Sequence, residues 1–186
     1  TFCSTLSVYH RTPFMKFEHL VQINDPSLPG IDWLTRQQLW FGLVARAWKP
    51  TRFVLGLEDA QVMQTSQQGN VTTLARVLNY GPFQIEDTIE LIEEDRTKTR
   101  IVANQFCGDS TLTISIEEPE SGELWLRFQY QVSDAPVSQG GPEVSSHDVD
   151  EIRKQAYRAA DIDTVRMIRE LAMAMPANQA DNRKDH

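Results

Sequence analysis

The order of the elements constrains this chain most. One strand-like run and one capped helix come first, six strand-like runs follow with almost no helix among them, and a single long helix closes the sequence. Consecutive antiparallel strands curl strongly, and a long helix with one apolar stripe can lie across the open side. Such an arrangement encloses a space, so the side chains that face inward are the functional candidates.

The elements are read from periodicity and punctuation. Phe17, His19, Val21 and Ile23 alternate with Glu18 and Gln22, the period of a strand. Asn24-Asp25-Pro26 and Pro29-Gly30 then break the chain. Thr35 and Gln38 form a capping box, and the helix after it carries Leu39, Trp40, Leu43, Val44 and Ala47 on one side. Pro50 ends that helix, and a further short turn is expected over 51–56. The next six runs span roughly 57–67, 71–80, 83–94, 99–107, 110–118 and 123–132. Gly69-Asn70, Gly81-Pro82, Gly108-Asp109 and Glu120-Ser121-Gly122 separate four of the five pairs and suit hairpins. Asp148 and Glu151 match a second capping box, and the last helix runs from there to about Met175, before Pro176. At 1.5 Å per residue it is about 40 Å long.

The chain has 186 residues, which suffices for one domain with a real core. Residues 15–175 are read as that domain, 1–14 as an extension before it and 176–186 as a polar tail. The net charge of -8 argues against nucleic acid and against an anionic membrane surface, since both need clustered Lys and Arg. No apolar run is long enough to span a membrane, and the first fourteen residues lack the apolar stretch of a signal peptide. Cys3 and Cys107 give neither a disulfide framework nor a metal spacing, so a reducing cytoplasm is expected.

The turns set the register. With Gly81-Pro82 as a two-residue connection, Leu78 faces Ile85, Arg76 faces Asp87 and Leu74 faces Ile89. The apolar members mark this as the inner face, so Arg76 and Asp87 pair on the concave side. Around Gly108-Asp109 the same arithmetic sets Ala103 opposite Ile114 and Gln105 opposite Leu112. Around Glu120 it sets Ile116 opposite Leu124 and Ile114 opposite Leu126, with Phe128 and Tyr130 continuing the apolar side. The first hairpin stays open between a two- and a three-residue turn. On the last helix Val149, Ile152, Ala156, Ala160, Met167 and Leu171 follow helical spacing, with Asp163 in the middle of that stripe.

This order of elements resembles the START or pollen-allergen-like helix-grip superfamily. "MKFEHLVQIND" at 15–25, "LTRQQLWFGLVARAWKP" at 34–50, "RVLNYGPFQIEDTIEL" at 76–91 and "AYRAADIDTVRMIREL" at 156–171 are similar to its AtaL-like branch. The resemblance covers about 15–175, with Met15 at the family's usual start. It implies an α+β helix-grip fold, a curved antiparallel sheet of about seven strands wrapped around the long C-terminal helix. It brings no catalytic set with it.

The chemistry is open between readings. GxSxG, GxGxxG, P-loop and HExxH patterns do not occur, and three of the four histidines lie in the first fourteen residues, a loop and the terminus. No cofactor or metal is therefore expected. His19 reads as a hydrogen-bonded core histidine or as a polar anchor in the cavity. Arg76 with Asp87 reads as a structural pair or as a device that orients a ligand carboxylate or carbonyl. Asp163 reads as the partner of a basic group or as a base. The expectation is a binding protein for a small apolar or aromatic molecule, held in a cavity between sheet and last helix. Its candidate lining is His19, Arg76, Asp87, Gln105, Leu126, Phe128, Tyr130 and Asp163. The alternatives are a cyclase or dehydratase acting on a polyketide-like substrate by acid–base chemistry, and a non-catalytic partner-binding scaffold. Binding is favoured because no nucleophile–base pair is evident. Oligomeric state is left open.

Overall fold

The computed structural model describes residues 14–104, 107–133 and 146–174. Of the expected extension 1–14, residues 1–13 lie outside the described residues and Phe14 opens the first strand instead; the tail from 176 and Gln105 also lie outside them. Strand β1, Phe14–Gln22, is followed by helix α1, Arg36–Trp48, and a single 3-10 turn at Pro50–Arg52. Strands β2, Asp59–Gln68, β3, Val71–Asn79, β4, Gln84–Ile92, β5, Arg96–Ile101, β6, Ser110–Glu117, and β7, Trp125–Ser133, form a meander. Helix α2, Ser146–Met173, ends the described chain. All seven strands are antiparallel neighbours in the order β1-β7-β6-β5-β4-β3-β2. The expected α+β helix-grip architecture is present.

Local chemistry places these elements. Thr35 Oγ1 accepts the Gln38 N–H at 3.1 Å, and Gln38 Oε1 accepts the Thr35 N–H at 2.9 Å, so the capping box is formed. The chain reaches that cap through a side-chain clamp. Buried Asn24 donates from Nδ2 to the carbonyls of Leu34 and Gly122, both at 2.9 Å, and accepts the Leu34 N–H at 3.0 Å. The amide thereby imitates a strand partner where no strand continues. The two helices cross closely at Gly42, where an added Cβ would lie 2.6 Å from Ile168 Cγ2.

The β3–β4 register is as expected: Leu78 faces Ile85, Arg76 faces Asp87 and Leu74 faces Ile89. Gly81 supplies the positive φ of 84° that this two-residue turn needs. The first hairpin also turns on two residues, Gly69 and Asn70, with a bulge between Val62 and Gln64.

Four expectations are corrected. The fifth strand is 96–101, not 99–107, and Ile114 faces Thr97 while Leu112 faces Thr99. Gly108-Asp109 belongs to a longer connection in which the Asp109 carboxylate accepts the Ala103 N–H at 2.8 Å, so it is no hairpin turn. Between β6 and β7 the register is displaced by one pair, with Ile116 opposite Leu126 and Ile114 opposite Phe128. Leu124 instead accepts the Ile23 N–H at 2.7 Å. Both displacements are even, so the side chains of β6 and β7 keep their expected faces. Finally, α2 begins at Ser146, which puts Asp148 inside its first turn rather than at the cap.

The core divides in two. The larger cluster joins β1, β6 and β7 to both helices through Ile23, Leu39, Leu43, Ile114, Leu126, Phe128 and Ile168. The smaller joins α1 to β3 and β4 through Ala47, Leu74, Ile89 and Leu91. Polar side chains occupy inward positions around both.

Candidate ligand-binding site

One side of the polar region is built on β3 and β4. Arg76 Nε donates to Asp87 Oδ1 at 2.8 Å and Nη2 to Oδ2 at 2.5 Å, a bidentate pair with both residues 5% exposed. The remaining nitrogen, Nη1, donates to the Ala47 carbonyl at 2.5 Å, in the last turn of α1. Every nitrogen of this guanidinium is engaged.

The other side is built on β1, β7 and α2. Asp161, 2% exposed, accepts the Tyr130 hydroxyl at 2.5 Å on Oδ1 and faces His19 Nδ1 at 3.2 Å through Oδ2. With Asp161 ionised, the carboxylate only accepts, and the contact then requires the proton on Nδ1, which leaves Nε2 for other partners. Tyr130 stacks on Tyr157 with centroids 4.1 Å apart, and Phe17 lies 6.0 Å from Tyr130, so aromatic rings wall the aspartate in. Burial raises the Asp161 carboxyl above its ordinary range, against the hydrogen bonds from Tyr130 and His19 and the charges of His19 and Arg46. Burial, reinforced by neighbouring Asp161, raises the Tyr130 phenol as well, so it remains a donor.

Arg46 lies between the two sides. It follows Leu39, Gly42 and Leu43 on the inward stripe of α1, seven residues after the first of them. Burial lowers its guanidinium pKa, and the charges of Arg76, Asp161 and Asp87 act on it together. Nevertheless it retains some accessible surface. Its Nε has no hydrogen-bond partner, and the hydroxyl of Thr99, inward on β5 opposite Leu112, has none either.

The expected lining residues separate accordingly. His19, Arg76, Asp87 and Tyr130 are all inward and all hydrogen-bonded. Leu126 and Phe128 are fully buried inside the larger apolar cluster. Asp163 is corrected: it is exposed and pairs with Arg166 at 3.3 Å on the solvent side of α2. The inward stripe is Asp161, Thr164, Val165, Ile168 and Ala172, one residue or about 100° around the helix from the expected stripe. Ile152, Ala156 and Ala160 are exposed for the same reason. Sequence reading missed Asp161 through that rotation, and left Arg46 out because only the apolar residues of α1 were used to mark its inward side.

A hollow of about 900 Å³ is lined largely by Met63, Ala75, Val77, Glu86, Thr88 and Arg100. In β3 and β4 these residues have the opposite parity to Arg76 and Asp87. The hollow touches that pair, but α2 contributes nothing to it, so it is not the expected space under the last helix. Among the described residues no helix is long and apolar enough to cross a membrane.

Seven antiparallel strands closed by a C-terminal helix make the helix-grip fold. Residues 21–174 match the AtaL family model, described as acetylaranotin biosynthesis cluster protein L, and the chain belongs to that family. Its fold is similar to that of the di-domain aromatase/cyclase StfQ of the steffimycin biosynthetic pathway, at a TM-score of 0.64 and 11% identity over 88% of this chain. The chain spans about half of StfQ, 52% of its length. The Zhui aromatase/cyclase from Streptomyces sp. R1128 matches at 0.56 and 9% identity, over 87% of this chain and 94% of that one. A truncated norcoclaurine synthase from Thalictrum flavum matches at 0.55 and 11% identity, over 89% and 97%. These likenesses are likenesses of fold. A comparison with curated proteins finds no match.

Proposed function

We propose that the protein binds a small, largely apolar or aromatic molecule on the inner surface between the sheet and its two helices. The observation that carries this reading is the polar region between two apolar clusters, where Arg46 and Thr99 hold buried donors without partners. A core built only for stability would fill inward positions with aliphatics or pair every polar atom. Tyr130, Asp161 and His19 supply fixed polar points beside aromatic walls, the usual composition of a small-molecule site. A reducing cytoplasm remains the proposed location.

The test uses a neutral environment-sensitive dye such as N-phenyl-1-naphthylamine. Thr99→Trp is the blocking variant, because Thr99 is inward and half-buried, whereas Leu126 is already packed on all sides. Saturable fluorescence enhancement, weakened in Thr99→Trp with native circular dichroism, is expected. Absence of saturable binding, or indifference to the block, overturns the reading.

A second reading is favoured by one geometry: Asp161 fixes Nδ1 of His19, which leaves Nε2 as a proton-exchanging atom. This arrangement suits removal of a proton next to a carbonyl, the step of a cyclase or dehydratase acting on a polyketide-like substrate. Turnover lost in both His19→Ala and Asp161→Asn, with dye binding retained, supports catalysis. Turnover that survives either substitution rejects it.

A further inference from the structure

We propose that the ligand of this site carries a carboxylate, and that Arg46 is the residue that receives it. The inference rests on the binding reading above and names the chemical class of the molecule. Two arginines lie inside this domain, and they are not equivalent. Arg76 gives two nitrogens to Asp87 and the third to the Ala47 carbonyl, so its charge is already paired and its fork already occupied by a carboxylate. Arg46 is one residue away from Ala47 on the same helix turn, yet its Nε has no partner.

The interior carboxylates do not fill that vacancy. Both oxygens of Asp87 are taken by Arg76, and those of Asp161 by Tyr130 and His19. No ion pair joins either aspartate to Arg46. Their charges act on it at a distance, which offsets part of the cost of burying a cation. Distance satisfies charge but not N–H donors, which need an acceptor within about 3 Å. A guanidinium presents a planar fork, which a carboxylate matches with two oxygens. The apolar clusters on either side require the rest of the molecule to be hydrocarbon or aromatic. The site therefore reads as a receptor for an apolar acid rather than for a neutral terpene-like molecule or a sugar.

The experiment compares 2-naphthoic acid with its methyl ester, two probes of nearly equal shape, by isothermal titration and by the shift in Tm each produces. Wild-type protein is expected to favour the acid by about tenfold or more, the scale of one charge-assisted hydrogen-bonded pair. Arg46→Met removes that preference while the ester and the neutral dye still bind. Arg46→Lys keeps part of it, because charge remains and the fork does not. Equal affinity of acid and ester for the wild type, or a preference that persists in Arg46→Met, overturns the proposal. If Arg46→Met does not fold, the wild-type ratio together with Arg46→Gln decides the matter. Dye binding without acid preference rejects the carboxylate alone, whereas failure of dye and both probes rejects the binding reading itself.

Discussion

Arg76 and Asp87, directly opposite on β3 and β4, form a two-bond pair whose third nitrogen holds the Ala47 carbonyl of α1. The pair thus fastens the C-terminal turn of the helix to the sheet, at the end where the helix dipole is negative and a cation is favoured. Asp87→Ala strands the guanidinium between two apolar surfaces. A loss of about 3–5 kcal/mol is expected, since removing one partner leaves an uncompensated buried charge. Urea denaturation measures it, and a midpoint close to wild type would contradict the burial.

Asp161 gives stability the opposite pH dependence from most paired carboxylates. Its folded-state carboxyl is raised by burial, so the folded chain takes up this proton more readily than the unfolded one. The contribution is present below the unfolded pKa and is lost as pH rises through the raised folded value. Relative to Asp161→Asn, wild type should therefore gain stability on acidification from neutral pH toward the ordinary carboxylate range. Tyr130, His19 and Arg46 are the groups facing the carboxylate, and all three stay unchanged in the comparison. Paired melting curves between about pH 7 and pH 4 test it; a wild type that loses more than the variant contradicts the sign.

The surface pair of Glu117 with Arg127 supplies the contrast. The Arg127 hydrogen bond lowers the Glu117 carboxyl, so its contribution is present above the unfolded pKa and lost as pH falls through the folded one. Arg127 also contacts Glu18, but the side chains are a quarter to nearly half exposed. Glu117→Gln should cost about 0–1 kcal/mol, and less in high salt. A loss comparable to that of Asp87→Ala would show that exposure does not screen this pair.

Gly42 sets the approach of the two helices. A helical glycine replaced by alanine ordinarily gains about 0.5–1 kcal/mol. Here the new Cβ would lie 2.6 and 2.7 Å from two carbons of Ile168, which is itself fully buried. Overpacking costs about 1–3 kcal/mol, so Gly42→Ala should be destabilising on balance. Adding Ile168→Ala should relieve the clash, and the double-mutant cycle should be strongly non-additive. Strict additivity would show that the helices separate without strain.

Strand faces were legible in the sequence because side-chain direction has a period of two. An error of two or six residues in register leaves the face unchanged, so Arg76, Asp87, Tyr130 and His19 were assigned inward correctly. The Gly81-Pro82 turn fixed its register outright, whereas Gly108-Asp109 misled because its carboxylate ties a longer loop. Helix faces have no such protection. On α2 the stripes through Ala156 and Tyr157 both carry apolar residues, and packing of Ile168 on Gly42 chooses between them. That choice moved the inward carboxylate from Asp163 to Asp161. Arg46 was hidden because nothing local distinguishes a solvated helical arginine from one held inside by its neighbours.

The Asn24 clamp has a consequence for how the chain could be rebuilt. Leu34 is held to Asn24 by hydrogen bonds in both directions, so the backbone from 25 to 33 is an excursion with a closed neck, exposed from Pro26 to Trp33. Whatever happens at its tip is screened from the Thr35 cap by that closure. The stretch around Pro29-Gly30 is thus where the polypeptide can be lengthened, or opened to new termini, while α1 keeps its seat.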